Sequence, residues 1–383
     1  MKSNIHFRKM VTKCYIFVFL ISSVSFSQTN VRTEVNFPDI LGYKTVICDF
    51  HMHTVFSDGL VWPTIRADEA WREGLDVIAI TDHIEYQPHK DDIPSNFNRA
   101  SELATNRGGQ LDILVIPGSE ITRDMPPGHL NAIFIKDADK LDTETWRQAI
   151  DAAAEQDAFI FWNHPGWRGQ EPDGIAKWYD EHTEILNSKK LHGIEVVNTK
   201  EYYPEAHQWC IDKNLTMLSN SDIHNPIQMD YDFPAGEHRP MTLVFAEEPS
   251  LKAIKEALFD RRTVVYSSNF LYGKKKFLEP LFYNSIFIKN PSVVLEKEQS
   301  HLIQIINYSD IDYHLQIKDE LEEINAQSDV WLYAGKTILY QISHSGSEVK
   351  GNKKLRIPFQ VENLKITPTE PLQVYLDLNI TFK

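Results

Sequence analysis

The sequence predicts a two-part α/β protein, a barrel-like run of alternating strands and helices followed by a small β-sandwich. Three observations carry this expectation. Short apolar runs at 45–48, 77–80, 113–116, 131–135, 159–162, 194–197 and 215–218 are mostly separated by helix-like segments. That texture fits parallel strands buried on both faces, and seven such strands are close to a barrel. Ionisable residues gather just past the strand ends, where a parallel barrel carries its active site. Beyond residue 271, closely spaced runs at 286–288, 292–295, 302–306, 314–317, 330–333, 337–342, 355–360 and 374–380 come without convincing helices, as in a sandwich.

In chain order, Pro63 suits a first helical position and Gly74 a stop, giving a helix over 63–73. Further helices are expected near 97–105, 143–155 and 204–212. A last unit follows at 242–245, 251–261 and 263–266. The β-domain shows no metal or nucleophile constellation and reads as a structural or attachment module, with glycan or partner binding as the alternative.

The 383 residues are 42% hydrophobic and 24% charged, an ordinary globular balance. Residues 1–27 differ. Lys2, Arg8, Lys9 and Lys13 precede an apolar run over 15–24, and Ser25-Phe26-Ser27 offers a cleavage point, the layout of a signal peptide. The run is short for a membrane span, so no stable insertion is expected after cleavage, and the product would be periplasmic or secreted. Without residues 1–27, 35 basic residues face 54 acidic ones, a net charge of −19. Such acidity argues against nucleic acid or an anionic membrane as main partner. Cys48 and Cys210 would remain, and they read as two buried thiols. The expected plan is a signal peptide over 1–27, a polar leader over 28–44, a barrel over 45–270 and a β-domain over 271–383.

His51 and His53 lie at i and i+2 on an extended segment, so both rings face one side. Imidazole suits divalent transition metals, and the later strand ends add more candidate ligands. Asp58 follows the first strand, His83 the second and Glu120 the third; His129 opens the fourth, His164 follows the fifth, and Asp222 with His224 follows 215–218. Singly, each has a plain structural role: Asp58 as a turn residue, His83 as a cap, His129 in a surface loop, His164 at a strand end. Six histidines and three carboxylates at one rim are too dense and too costly to bury without metal.

The motifs His51-x-His53 with Ser57-Asp58-Gly59, Ile80-Thr81-Asp82-His83, Gly118-x-Glu120, Asn163-His164-Pro165 and Asp222-x-His224 resemble those of the PHP (polymerase and histidinol phosphatase) superfamily, in the same order. The resemblance covers about 45–266 and implies a distorted seven-stranded β/α barrel with two or three divalent ions (Mn, Zn or Fe). It implies one ion on His51, His53, Glu120 and Asp222, a second on Glu120, His129 and His164, and a third on Asp58, His83 and His224. Glu120 and Asp222 would be the catalytic carboxylates, and hydroxide held between two metals would attack phosphorus.

The expected substrate is a small phosphate ester. Resemblance to exported PHP proteins with an appended β-domain favours phosphodiester hydrolysis over phosphomonoester hydrolysis, and both over a non-catalytic metal-dependent binding protein. Arg123, Arg168 and Arg239, in loops expected near the rim, are candidates to grip phosphate oxygens.

Overall fold

The structure, a computed structural model, describes residues 31–93, 96–319 and 321–383. The proposed signal peptide therefore lies outside the described residues. From Arg32 onward the leader is tied down: the Arg32 guanidinium donates to the Trp71 and Leu75 carbonyls, both at 3.1 Å, and Asn36 N–H donates to Asp310 at 2.7 Å.

The first part contains β1 (Lys44–Asp49), α1 (Pro63–Arg72), β2 (Val77–Ile80), α2 (Arg99–Gly108), β3 (Leu114–Ile121), β4 (Leu130–Ile133), α3 (Trp146–Ala154) and β5 (Phe159–Trp162). It continues with α4 (Asp180–Asn187), β6 (Gly193–Asn198), β7 (Glu201–Tyr202), α5 (Pro204–Asp212), β8 (Thr216–Asn220), β9 (Met241–Ala246), α6 (Leu251–Phe259), β10 (Thr263–Ser267) and β11 (Phe270–Gly273). Local chemistry sets the helix starts. Pro63 and Pro204 occupy the first turns of α1 and α5, Thr145 and Gln148 close a capping box on α3, and the Ser250 hydroxyl caps α6.

The barrel wall runs β9–β1–β2–β3–β4–β5–β6–β8. Its pairs β1–β2, β2–β3, β5–β6 and β6–β8 are parallel. The expectation of a wholly parallel sheet is corrected at two strands. β4 runs antiparallel to β3 and β5, and β9 antiparallel to β1. The stretch 122–129 between β3 and β4 is shorter than the dozen or more residues a parallel crossover needs, so the chain must turn back. The reversal brings the start of β4 beside the end of β3, with Ile121 opposite Leu130. Between β8 and β9 no backbone ladder forms among the described residues. Side chains close the wall there: Ser219 N–H donates to Thr242 Oγ1 (2.9 Å), and Thr242 Oγ1 donates to the Ser219 carbonyl (2.9 Å). This seam is the distortion in the barrel.

Next comes a helix the sequence reading missed, α7 (Lys275–Ser285), which turns Phe277, Leu278, Leu281 and Phe282 into the core despite Pro280. The second part is a two-layer sandwich of β12 (Ile286–Ile288), β13 (Ser292–Leu295), β14 (Ser300–Asn307), β15 (Tyr313–Ile317), β16 (Ile324–Ala326), β17 (Asp329–Leu332), β18 (Thr337–His344), β19 (Gly351–Lys365) and β20 (Pro371–Phe382). One layer is β12–β14–β18–β16; the other contains β13, β20, β19, β15 and β17. Alternating burial along β14, β18 and β20 gives each sheet one apolar inner face. The second layer joins the barrel wall, because β11 pairs in parallel with Leu364 and Lys365 of β19. Cys48 and Cys210 are buried free thiols.

Candidate metal centre

The nine ligand candidates converge on one rim. His51, His53 and Asp58 follow β1, and His83 follows β2. Glu120 ends β3, and the reversal of β4 delivers His129 beside it. His164 follows β5 in the left-handed region (φ 29°), and Asp222 follows β8 likewise (φ 51°). Both strained backbones are held in place: His164 N–H donates to Glu195 at 2.7 Å, and Asp222 N–H to the His51 carbonyl at 2.9 Å.

His51 Nε2 and His53 Nε2 are 3.1 Å apart, and each is 3.1 Å from Asp222 Oδ1. Glu120 Oε2 lies 3.5 Å from His51 Nε2 and 3.3 Å from His53 Nε2. The other Glu120 oxygen, Oε1, is 2.9 Å from His129 Nδ1 and 3.6 Å from His164 Nε2. Asp58 Oδ1 is 3.4 Å from His83 Nε2 and 3.3 Å from His224 Nε2. Four overlapping donor groups result: His53–Asp58–His83–His224, His51–His53–Glu120, His51–His164–Asp222 and Glu120–His129–His164. His51, His53 and Glu120 are sealed from solvent, whereas the side chains of Asp58 and His224 keep 21% and 34% exposure, so the centre opens on that side.

The donor chemistry fits cations. His51 Nδ1 donates to Glu195 Oε1 at 2.8 Å, which leaves the Nε2 lone pair facing His53, Asp222 and Glu120. Glu120 Oε2 and His129 Nδ1 are buried and make no hydrogen bond among the described residues. Lone pairs aimed at one another in a dry pocket repel unless a positive charge sits between them. With metal–ligand bonds of ~2.0–2.1 Å, neighbouring ligand atoms stand about 3.0–3.4 Å apart, which is close to the observed spacing.

Protons alone satisfy the cluster unevenly. Burial opposes charge on His51, but Asp222, Glu195 and Glu120 outweigh it and hold the ring well above its ordinary value. Burial, with His224 and His83 close by, drives His53 down to about 3. Against burial, Glu120 and Asp58 push His83 up to about 10.

A solved two-domain protein from Bacteroides vulgatus, described as containing a predicted PHP-like metal-dependent phosphoesterase, is 46% identical and superposes with a TM-score of 0.86, covering 91% of this chain and 99% of that one. The chain belongs to the PHP family. An uncharacterized protein of Methanocaldococcus jannaschii is 30% identical over 190 residues, which is 46% of this PHP chain and 81% of that protein. Residues 286–377 match a family model described as an Ig-like domain (DUF5001), in agreement with the sandwich.

Around the candidate ligands stands a supporting layer that the motifs did not reveal. Glu195, mid-strand in β6, accepts four hydrogen bonds: from His51 Nδ1 and Asn220 Nδ2 on Oε1, and from His164 N–H and Asn198 Nδ2 on Oε2. A carboxylate inside the buried run Gly193–Asn198 was the available signal. Asn163 Nδ2 donates to Glu120 Oε1 (3.0 Å), and Phe50 N–H to Asn220 Oδ1 (2.8 Å). Asp82 accepts from Thr54 N–H at 2.6 Å and from the Thr54 and Ser57 hydroxyls at 2.7 Å, fixing the loop that carries Asp58. Buried Arg66 donates to the carbonyls of His53, Ile223, His224 and Asn225, tying the first ligand loop to the last. Replacing Glu195 with Gln sets an amide NH2 against two of these donors. Metal affinity is expected to fall by roughly 10–100-fold, measured by chelator competition; wild-type affinity would dismiss this role.

One of the three arginine assignments is corrected. Arg239 is buried, donating to both Glu73 oxygens (2.8 and 2.9 Å) and to Asp49 (3.0 Å), so it has no reach to a substrate. Arg123 pairs with Glu85 at 2.7 Å and donates to the Thr143 carbonyl at 2.7 Å. Arg168 is exposed and makes no ion pair or hydrogen bond among the described residues.

His182 steadies the loop before His129. Its ring stacks on Trp162 with centroids 3.7 Å apart, Nε2 donates to the Pro127 carbonyl (2.8 Å), and Nδ1 accepts from Tyr179 N–H (3.1 Å). No lone pair is left for a proton, and burial lowers its pKa from 6.5 to about 4. The neutral ring's contribution is complete above about pH 6.5 and is lost as pH falls toward 4, about 3 kcal/mol in all. His182→Gln should flatten the fall in urea stability over this range; an unchanged slope would assign the titration elsewhere.

Proposed function

We propose that this PHP protein is a metal-dependent phosphoesterase whose preferred substrates are phosphodiesters, working at a three-metal centre outside the cytoplasm. The observation that carries the metal-dependent reading is the set of lone pairs converging around Glu120 and Asp222. Bound divalent ions would supply positive charge for phosphoryl oxygens and lower the pKa of water at the centre. His51, His53, Glu120 and Asp222 would hold the first ion, Glu120, His129 and His164 the second, and Asp58, His83 and His224 the third. Glu120 faces two donor groups with its two oxygens and fixes their separation. Asp222 does the same between the His51–His53 pair and His164, 3.9 Å from its Oδ2.

The state of the arginines supports a diester. With Arg239 buried against Glu73 and Asp49 and Arg123 paired with Glu85, fewer cationic side chains are free than a dianionic monoester would use, which favours a singly charged diester. The basic and then apolar layout of residues 2–24 supports export. The test is to load the protein with Mn, Fe or Zn and compare bis(p-nitrophenyl) phosphate with p-nitrophenyl phosphate. A faster diester reaction is expected. Turnover of the monoester alone would make it a phosphatase, and turnover of neither ester by fully loaded protein would leave a binding protein.

A further inference from the structure

Two large aromatic side chains stand exposed beside the centre. Trp167 is 45% exposed, with its ring 5.7 Å from that of His129 and 5.5 Å from that of His164. Tyr86 is 53% exposed and 6.0 Å from His83. Scattered exposed aromatics are ordinary. Two that each border candidate ligand imidazoles of one cluster are a local pattern, and an indole left half in water gains free energy when a flat group covers it.

Trp167 is held at the rim by its own loop. Its N–H donates to the His164 carbonyl (2.9 Å), and its carbonyl accepts from Gln170 (2.9 Å) and Glu171 (2.8 Å), which closes a tight turn. A Cβ at Gly169 would lie 2.5 Å from the indole carbons, so the ring rests against bare backbone there and any larger residue would displace it. The turn starts at His164, one of the ligand candidates, so the ring's place relative to the centre is fixed through three residues.

The two rings sit at different ends of the cluster. Trp167 borders the Glu120–His129–His164 group and Tyr86 the Asp58–His83–His224 group. A phosphodiester carries two organic substituents on one phosphorus, and a monoester carries one. We propose that Trp167 and Tyr86 are specificity-determining walls, each taking one substituent of a phosphodiester, and that they select planar aromatic or heteroaromatic groups over small alkyl ones. The inference rests on the diesterase reading and adds the substrate class.

The experiment compares bis(p-nitrophenyl) phosphate with methyl p-nitrophenyl phosphate on the metal-loaded wild type, Trp167→Ala, Trp167→Phe and Tyr86→Ala. The wild type should show a KM about tenfold lower for the bis-aryl ester, since both walls are then used. Each alanine variant should raise that KM about tenfold and erase the preference, with a smaller change in kcat and with metal content retained. Trp167→Phe should restore most of the preference. Diester turnover with the preference intact in both alanine variants would overturn the inference alone. Failure of the metal-loaded wild type to turn over either diester would overturn the diesterase reading and the inference with it.

Discussion

Glu120→Gln should lower phosphoester hydrolysis by about 10³-fold and reduce the bound metal. The carboxylate offers Oε2 to His51, His53 and His83 and Oε1 to His129, and it lies wholly in the interior. An amide of the same shape would keep one acceptor, lose the negative charge and present an NH2 to ligand nitrogens. The loss of several kcal/mol of charge stabilisation, at 1.36 kcal/mol per tenfold, gives a factor of that order. Metal content by plasma emission and rates on the diester check it together. A variant with full metal and full rate would remove Glu120 from the centre.

Arg239→Ala should act on stability, with unfolding in urea easier by about 3–5 kcal/mol and the KM of any surviving activity little changed. The guanidinium is enclosed by Glu73 and Asp49, and removing it strands two carboxylates in the interior. Asp49 also accepts from the backbone N–H groups of His51 and Ser221, so the effect reaches the base of the ligand loops. A large rise in KM with unchanged urea stability would return Arg239 to the substrate-binding role that its loop position suggested.

The candidate positions were legible because most of them mark an abrupt change from an apolar run to ionisable residues, as Val46–Cys48 gives way to His51 and His53. The barrel was legible from the same alternation. Glu195 was not, since periodicity assigns a residue inside an apolar strand to the core and says nothing of the four donors waiting there. Arg239 misled for a related reason: a loop arginine looks free until the chain brings Glu73 to it from 166 residues away. The reversal of β4 was readable in principle from the short link between 121 and 130. Pro280 hid α7, although Phe277, Leu278, Leu281 and Phe282 repeat at helical spacing. The barrel and sandwich read as separate textures, yet the pairing of β11 with β19 gives them one wall.

The bond from Phe50 to Asn220 spans 170 residues, and Arg66 links the same two loops. This separation sets a schedule for synthesis. His51 and His53 leave the ribosome first, and Asp222 follows on the order of 10–30 s later at ordinary elongation rates of about 5–20 residues per second. Until then the early histidines are an incomplete and weakly selective site. The full set of candidate ligands therefore comes together only once β8 has docked beside β6, so the site is completed by folding and not before it.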